Sequence, residues 1–282
     1  MNDLIEIAIF DVDGTIWENG VVPDSVVKGF KHLHKNNTLT TISTGRGYIR
    51  LREALGSSFN DLISDKSPII VEHGTKIVDK KGNTIFADFL IDQEIDHIVD
   101  FTRNNIDLFK MLLFYPNDPN KKVKICCFNE SDLEMEIKKR GHYADVFYAS
   151  LGELSSLIRK EELTNVTLKL KPYIKVENLK LLFTRTETKI VFQDGEMVFV
   201  KQNANKALAI KYLLDYLKIS SSKLLVAGNA INDVEMLDFD SKETLLVGPK
   251  ESRETIKSYL SDLNGIIELE NPSKLGDYLL SL

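Results

Sequence analysis

A chain of 282 residues, 43% hydrophobic and 28% charged with only 15 Gly and 7 Pro, has the make-up of an ordered protein: one large core plus a smaller insertion, with little room for disordered tails. Its formal net charge of −6, with no long Lys/Arg run, disfavours a generic nucleic-acid binder, which needs a concentrated basic surface. No apolar run approaches the roughly 20 residues of a membrane-spanning helix.

The start, Met1-Asn2-Asp3-Leu4-Ile5-Glu6-Ile7, is interrupted by acids and lacks the basic n-region of a secretory signal. Leu4 to Phe10 reads as a short apolar strand that stops at Asp11-Val12-Asp13-Gly14-Thr15, so the strand delivers acids to its own C-terminal end. Pro23-Asp24-Ser25 opens a helix with apolar Val26, Val27, Phe30 and Leu33, and Asn36-Asn37 closes it before a strand from Leu39 to Ser43. That is a βαβ unit. The second strand ends in Thr44-Gly45-Arg46-Gly47, a helix runs through Leu51 and Leu55, and Ile69-Ile70-Val71 is a further buried strand. Lys80-Lys81-Gly82-Asn83 turns a hairpin between Ile77-Val78 and Thr84-Ile85-Phe86.

From about Asp88 the style changes to amphipathic helices alternating with strands at Met111–Tyr115, Val123–Phe128, Val166–Leu170 and Lys189–Phe192. Lys121-Lys122-Val123-Lys124 reads as a solvated strand end. Cys126 and Cys127 are neighbours in a strand and point to opposite faces. With no other cysteine in the chain, a reducing cytoplasm is expected. After a hairpin from Ile190 to Val200 the earlier pattern resumes with a helix Asn205–Lys218, a strand Leu224–Ala227, a helix near Asp233–Leu237 and a strand Leu245–Val247. The expected fold is α/β: a Rossmann-like parallel-sheet core from residues 1–87 and 195–282, carrying an inserted α/β cap domain at 88–194.

In an open α/β sheet, ligands sit beyond the carboxyl ends of the strands. Four segments bring polar groups there: Asp11 to Thr15, Ser43 to Arg46, the stretch before Lys206, and Gly228 to Asp233. Each alone is weak, and Asp11 to Gly14 by itself is equally an ordinary turn. Together they hold what phosphoryl transfer needs. Asp11 and Asp13 offer hard oxygens for Mg²⁺, Thr44 a hydroxyl and backbone N–H for an anion, Lys206 a point charge, and Asn229 and Asp233 further metal ligands. A carboxylate such as Asp11 can attack phosphorus, and a second acid such as Asp13 can move the proton. Strand alternation favours Thr44 over Ser43 as the phosphate-side hydroxyl. Trp17 and Arg46 read as packing and bridging groups, and Glu72 and His73, before Gly74 at another strand end, are candidates for substrate contact. The histidines, His32, His34, His73, His97 and His142, show no zinc-site spacing.

The segments Asp11-Val12-Asp13-Gly14-Thr15, Thr44-Gly45-Arg46, Lys206 before a helix, and Gly228-Asn229-Ala230-Ile231-Asn232-Asp233 resemble, in order, the four motifs of haloacid dehalogenase superfamily phosphatases. The place of the insert, between the second and third motifs, resembles the Cof-type subgroup with a class IIB α/β cap. The resemblance spans essentially the whole chain. It implies Asp11 as nucleophile and Asp13 as general acid and base, with Thr44, Gly45, Lys206 and Asn232 on the phosphate. It implies Mg²⁺ held by Asp11, the Asp13 carbonyl, Asn229 and Asp233. One residue departs: the subgroup usually carries Asp where this chain has Asn229, which keeps a carbonyl oxygen and removes a charge.

The leading expectation is therefore a Mg²⁺-dependent phosphatase acting on a small phosphorylated metabolite, a sugar phosphate by resemblance, through an aspartyl phosphate. A phosphomutase on the same intermediate is a neighbouring alternative. A metabolite sensor without turnover is a different class, motivated by Asn229. A receiver-type signalling domain also uses acids at strand ends, but its single small domain does not accommodate the insert.

Overall fold

The apolar run before Asp11 forms β1 (Ile7–Phe10), whose four side chains are all buried. The fold is that of a computed structural model, which describes residues 4–118, 121–174, 179, 188–193 and 195–282. The Met1–Asp3 start, read above as part of a non-signal segment, and Asp194 lie outside the described residues. The chain divides into two units, Met1–Phe86 with Asn205–Leu282, and Ala87–Ala204.

The helix Asp24–Lys35 follows, burying Val26, Phe30 and Leu33 at helical spacing, and returns the chain to β2 (Leu39–Ile42) parallel to β1, with Phe10 opposite Ile42. After the helix Tyr48–Leu55 come β3 (Ile69–Val71), β4 (Lys76–Val78) and β5 (Thr84–Ala87), in that order in a small sheet. The Asp79 side chain makes the β4–β5 turn by accepting from the N–H groups of Lys81 and Asn83 at 2.8 and 2.9 Å.

The inserted unit carries β6 (Phe109–Phe114), β7 (Val123–Cys127), β8 (Ala144–Tyr148), β9 (Asn165–Leu170), β10 (Thr188–Gln193) and β11 (Glu196–Lys201). They form one sheet in the order β10-β11-β9-β6-β7-β8. Helices Asp92–Asn104 and Leu151–Ile158 cover one face, packing Ile95, Ile98, Val99, Leu154 and Ile158 on Leu112, Phe114, Val166, Leu168 and Phe199. Cys126 belongs to that cluster, and both cysteines are buried free thiols. The position of β11 corrects the expected boundary. It pairs with β9 from Glu196 opposite Lys169 to Val200 opposite Asn165, and it buries Met197 and Phe199 in the inserted unit's core. Residues 195–204 therefore leave the core, and the boundary falls after Ala204.

The chain re-enters the first unit through the helix Lys206–Leu217, which leads to β12 (Leu224–Gly228), β13 (Glu243–Val247) and β14 (Ile266–Leu269). The large sheet is wholly parallel, in the order β14-β13-β12-β1-β2. On one face Ile7, Ile9, Leu224 and Val226 meet Ala209, Ile210, Leu213 and Leu214 of the helix 206–217. On the other Ala8, Phe10, Ile42, Leu225 and Leu245 meet Phe30, Leu33, Leu275 and Leu279. Burial on both faces explains why β1 reads as an unbroken apolar run. No helix among the described residues is long and apolar enough to cross a membrane.

Candidate active site

Asp11 continues the alternation of Ile7 and Ile9, so its side chain falls on the face covered by the helix 206–217. That helix begins beside it because Asn205 caps it, its side chain accepting the Leu208 N–H at 2.6 Å. Lys206, the first helical residue and 1% exposed, sends its Nζ to Asp11 Oδ1 and to Asp233 Oδ1, both at 2.6 Å. Asp233 is completely buried. It reaches back because the turn Ile231–Asp233 coils directly after Asn229 and Ala230, whose N–H groups donate to Asp233 Oδ2 at 2.9 and 3.0 Å.

Both Asp233 oxygens accept from the protein's own donors, so Asp233 anchors Lys206 and the loop after β12. Asn229 lies across Gly14: a Cβ at Gly14 would stand 2.0 Å from Asn229 Nδ2, and φ there is +84°. The Thr15 hydroxyl donates to Asn229 Oδ1 at 3.2 Å. Two loops far apart in sequence are thus interlocked at a position only glycine fills.

Asp13 turns away from this cluster. Its carboxylate takes a two-pronged grip from Arg46, Nε to Oδ2 at 2.8 Å and a terminal nitrogen to Oδ1 at 2.5 Å, and the guanidinium lies 4.9 Å from the centre of the Trp17 ring. Sequence reading missed this partnership: Arg46 stood as a bridging group, and nothing in the spacing of residues 13 and 46 announces a pair. Thr44 is buried; its N–H donates to Ile70 O at 3.0 Å, and its hydroxyl accepts the Arg46 N–H at 3.1 Å. The N–H expected to meet an anion is thus already used within the sheet, and the hydroxyl proton is what Thr44 retains. Gly45 packs on His73, and Asn232 stands half-buried in the turn after β12.

Two buried carboxylates, Asp11 and Asp233, share the one ammonium of Lys206. Burial, then the charge of Asp233, pushes the Asp11 carboxyl up to about 7 against the pull of Lys206. Burial works against the Lys206 ammonium, and Asp11 and Asp233 together outweigh it, holding its pKa above the ordinary value.

The chain belongs to the haloacid dehalogenase-like hydrolases, whose family model matches residues 8–241. Among curated proteins it is similar to MG265 of Mycoplasma genitalium, provisionally named a phosphatase: the two are 25% identical over 280 residues, covering 92% of this chain and 94% of that one. Among solved structures it resembles BT1666 of Bacteroides thetaiotaomicron, a phosphatase of the HAD superfamily, with a TM-score of 0.74 and 17% identity over 99% of this chain and 95% of that one. It also resembles the HAD subclass IIB sugar phosphatase BT4131, with a TM-score of 0.70 and 17% identity over 98% and 97% of the two chains. At that identity these likenesses speak for the fold alone.

Proposed function

We propose that the protein is a Mg²⁺-dependent phosphatase that releases phosphate from a small phosphorylated metabolite, with Asp11 as nucleophile and Asp13 as general acid and base. The observation that carries this reading is the division of labour between two carboxylates from one strand end. Asp11 is buried on Lys206, while the Asp13 side chain is 30% exposed and held by Arg46. The phosphatase name of MG265 supports the activity, and a sugar phosphate is the substrate class that the resemblance of the motifs and insert implies. The two buried free thiols fit a reducing, cytoplasmic setting.

In the first half-reaction an Asp11 oxygen attacks phosphorus, the bond to the leaving oxygen breaks, and Asp13 gives that oxygen its proton, leaving an aspartyl phosphate. In the second, Asp13 takes a proton from water as the water oxygen attacks phosphorus, and the bond to Asp11 breaks to release inorganic phosphate. Lys206 supplies positive charge where the phosphoryl group meets Asp11, with the Thr44 hydroxyl, Gly45 and Asn232 as its neighbours. Arg46 holds Asp13 as a carboxylate, the form that takes the proton from water in the second step.

The residues present suit Mg²⁺: Asp11, the Asp13 carbonyl, the Asn229 side-chain carbonyl and Asp233 are hard oxygen donors, and Asp11 and Asp233 share a single ammonium. When bound, the ion would neutralise charge on the phosphoryl oxygens.

Hydrolysis of p-nitrophenyl phosphate is expected with Mg²⁺, to disappear on chelation with EDTA and to return when Mg²⁺ is restored. If wild type with Mg²⁺ does no better than Asp11→Asn there and across a panel of phosphorylated metabolites, the phosphatase reading is wrong. A sensor without turnover is then favoured, on the strength of Asn229. Asn229→Asp returns a carboxylate to the site, and the Mg²⁺ concentration for half-maximal activity is expected to drop about tenfold. An unchanged Mg²⁺ requirement would remove Asn229 from the metal's ligands. Arg46→Lys replaces a fork by a point charge. Because the pair is partly solvated, thermal stability should barely move, while kcat falls about tenfold through a less well held Asp13.

A further inference from the structure

The turn that follows β3 is not used by the chemistry above. Glu72, His73 and Gly74 succeed one another with φ of 54°, 59° and 89°. Two consecutive non-glycine residues in the left-handed region are strained, and persist only where their surroundings over-determine them. Both side chains are buried, Glu72 4% and His73 7% exposed.

The surroundings are the catalytic loops themselves. The Glu72 N–H donates to Arg46 O at 3.0 Å and the His73 N–H to Thr44 O at 3.1 Å. The imidazole lies flush on Gly45, where a Cβ would stand 2.3 Å from its Cε1. On its other side the turn meets the start of the helix 206–217: a Cβ at Gly74 would stand 2.5 Å from Asn205 O and 3.0 Å from Lys206 N. The Thr75 hydroxyl closes the turn on Glu72 O at 2.6 Å.

We propose that Glu72-His73-Gly74 is a brace that fixes Thr44-Gly45-Arg46 relative to Lys206, with His73 as its positioning residue. Earlier a candidate for substrate contact, His73 acts instead through Gly45, against which its ring is packed. The contacts of the turn hold two loops from distant parts of the chain at one separation, which in-line transfer to Asp11 requires. The kinetic part of this inference rests on the phosphatase reading; the structural part does not.

His73→Gly tests it without threatening the fold, since glycine accepts the φ and keeps the N–H donor while deleting the ring. Its melting temperature is expected within a few degrees of wild type, relief of the left-handed strain offsetting part of the lost burial. Amide hydrogen exchange over Thr44–Arg46 should be about tenfold faster. With p-nitrophenyl phosphate and Mg²⁺, kcat should be roughly 10- to 30-fold lower and KM within about threefold. His73→Asn, which tolerates the left-handed region and returns a planar group to Gly45, should recover most of both losses. Wild-type exchange in His73→Gly overturns the brace and leaves the phosphatase reading standing. Wild-type kcat despite faster exchange overturns the positioning role, as does a His73→Asn variant no better than His73→Gly. Faster exchange in His73→Gly, from a wild type that hydrolyses no phosphomonoester, keeps the brace and removes the phosphatase reading.

Discussion

Asp11→Asn is expected to lower phosphate release by more than about 10³-fold and, at neutral pH and above, to raise the stability of the metal-free protein. The first effect follows from the nucleophile role proposed for Asp11. The second follows from the position of Asp11, whose carboxyl is held at about 7 rather than 3.8, first by burial and then by Asp233. Between those values the folded chain keeps a proton that the unfolded chain has released. Stability from this group is therefore complete below about pH 4 and is lost as pH rises through about 7. Asn has no such proton to lose, and its amide oxygen can still accept from Lys206. Thermal melts in EDTA from pH 4 to 8 should show wild type weakening across that window more steeply than Asp11→Asn, and added Mg²⁺ should restore wild type. Parallel profiles for the two proteins, or substantial activity in the variant, would count against the assignment.

Lys206→Met is expected to be the most destabilising single substitution in the site. Removing the ammonium leaves Asp11 and Asp233 facing each other with side-chain exposures of 7% and 0%. Breaking a buried ion pair from one side costs about 3–5 kcal/mol, and Met fills the volume, so the loss is electrostatic rather than a cavity effect. Urea unfolding at pH 7.5 should show a lower midpoint with an unchanged slope, together with loss of activity. Adding Asp11→Asn to Lys206→Met should recover part of the stability, because the repulsion needs both carboxylates. A Lys206→Met protein as stable as wild type would mean that the Asp11–Lys206–Asp233 cluster does not hold the loops together.

Much of this was legible in the residues. An apolar run halted by Asp11 marks a central parallel strand, and Lys206 ahead of Ala209, Ile210 and Leu213 marks a helix start at the same sheet end. What escaped depended on contacts made across the chain. β8 fully buries only Ala144 and gives a weak apolar signal. Sequence reading divides the hairpin, leaving β10 with the insert and giving β11 to the core, because the sheet that β11 joins is decided by its pairing with β9. The hold of Asp233 on Lys206 depends on the coil of residues 231–233, which has no signature in spacing. The Asp13–Arg46 grip and the left-handed turn at Glu72 and His73 are likewise products of tertiary packing that overrides local preference.

The strand order carries a consequence for how the protein is made. Ile7 of β1 must pair with Leu224 of β12 as well as with Leu39 of β2, so a chain emerging from the ribosome shows one edge of its most apolar strand until almost four-fifths of it has been synthesised. The unit Ala87–Ala204, continuous in sequence and with its own core, can close before the residues that complete the first unit exist. The hydrolase half is left to assemble around an already folded neighbour. A chain truncated before β12 is expected to fold the inserted unit and to lack Asp233, the anchor of Lys206.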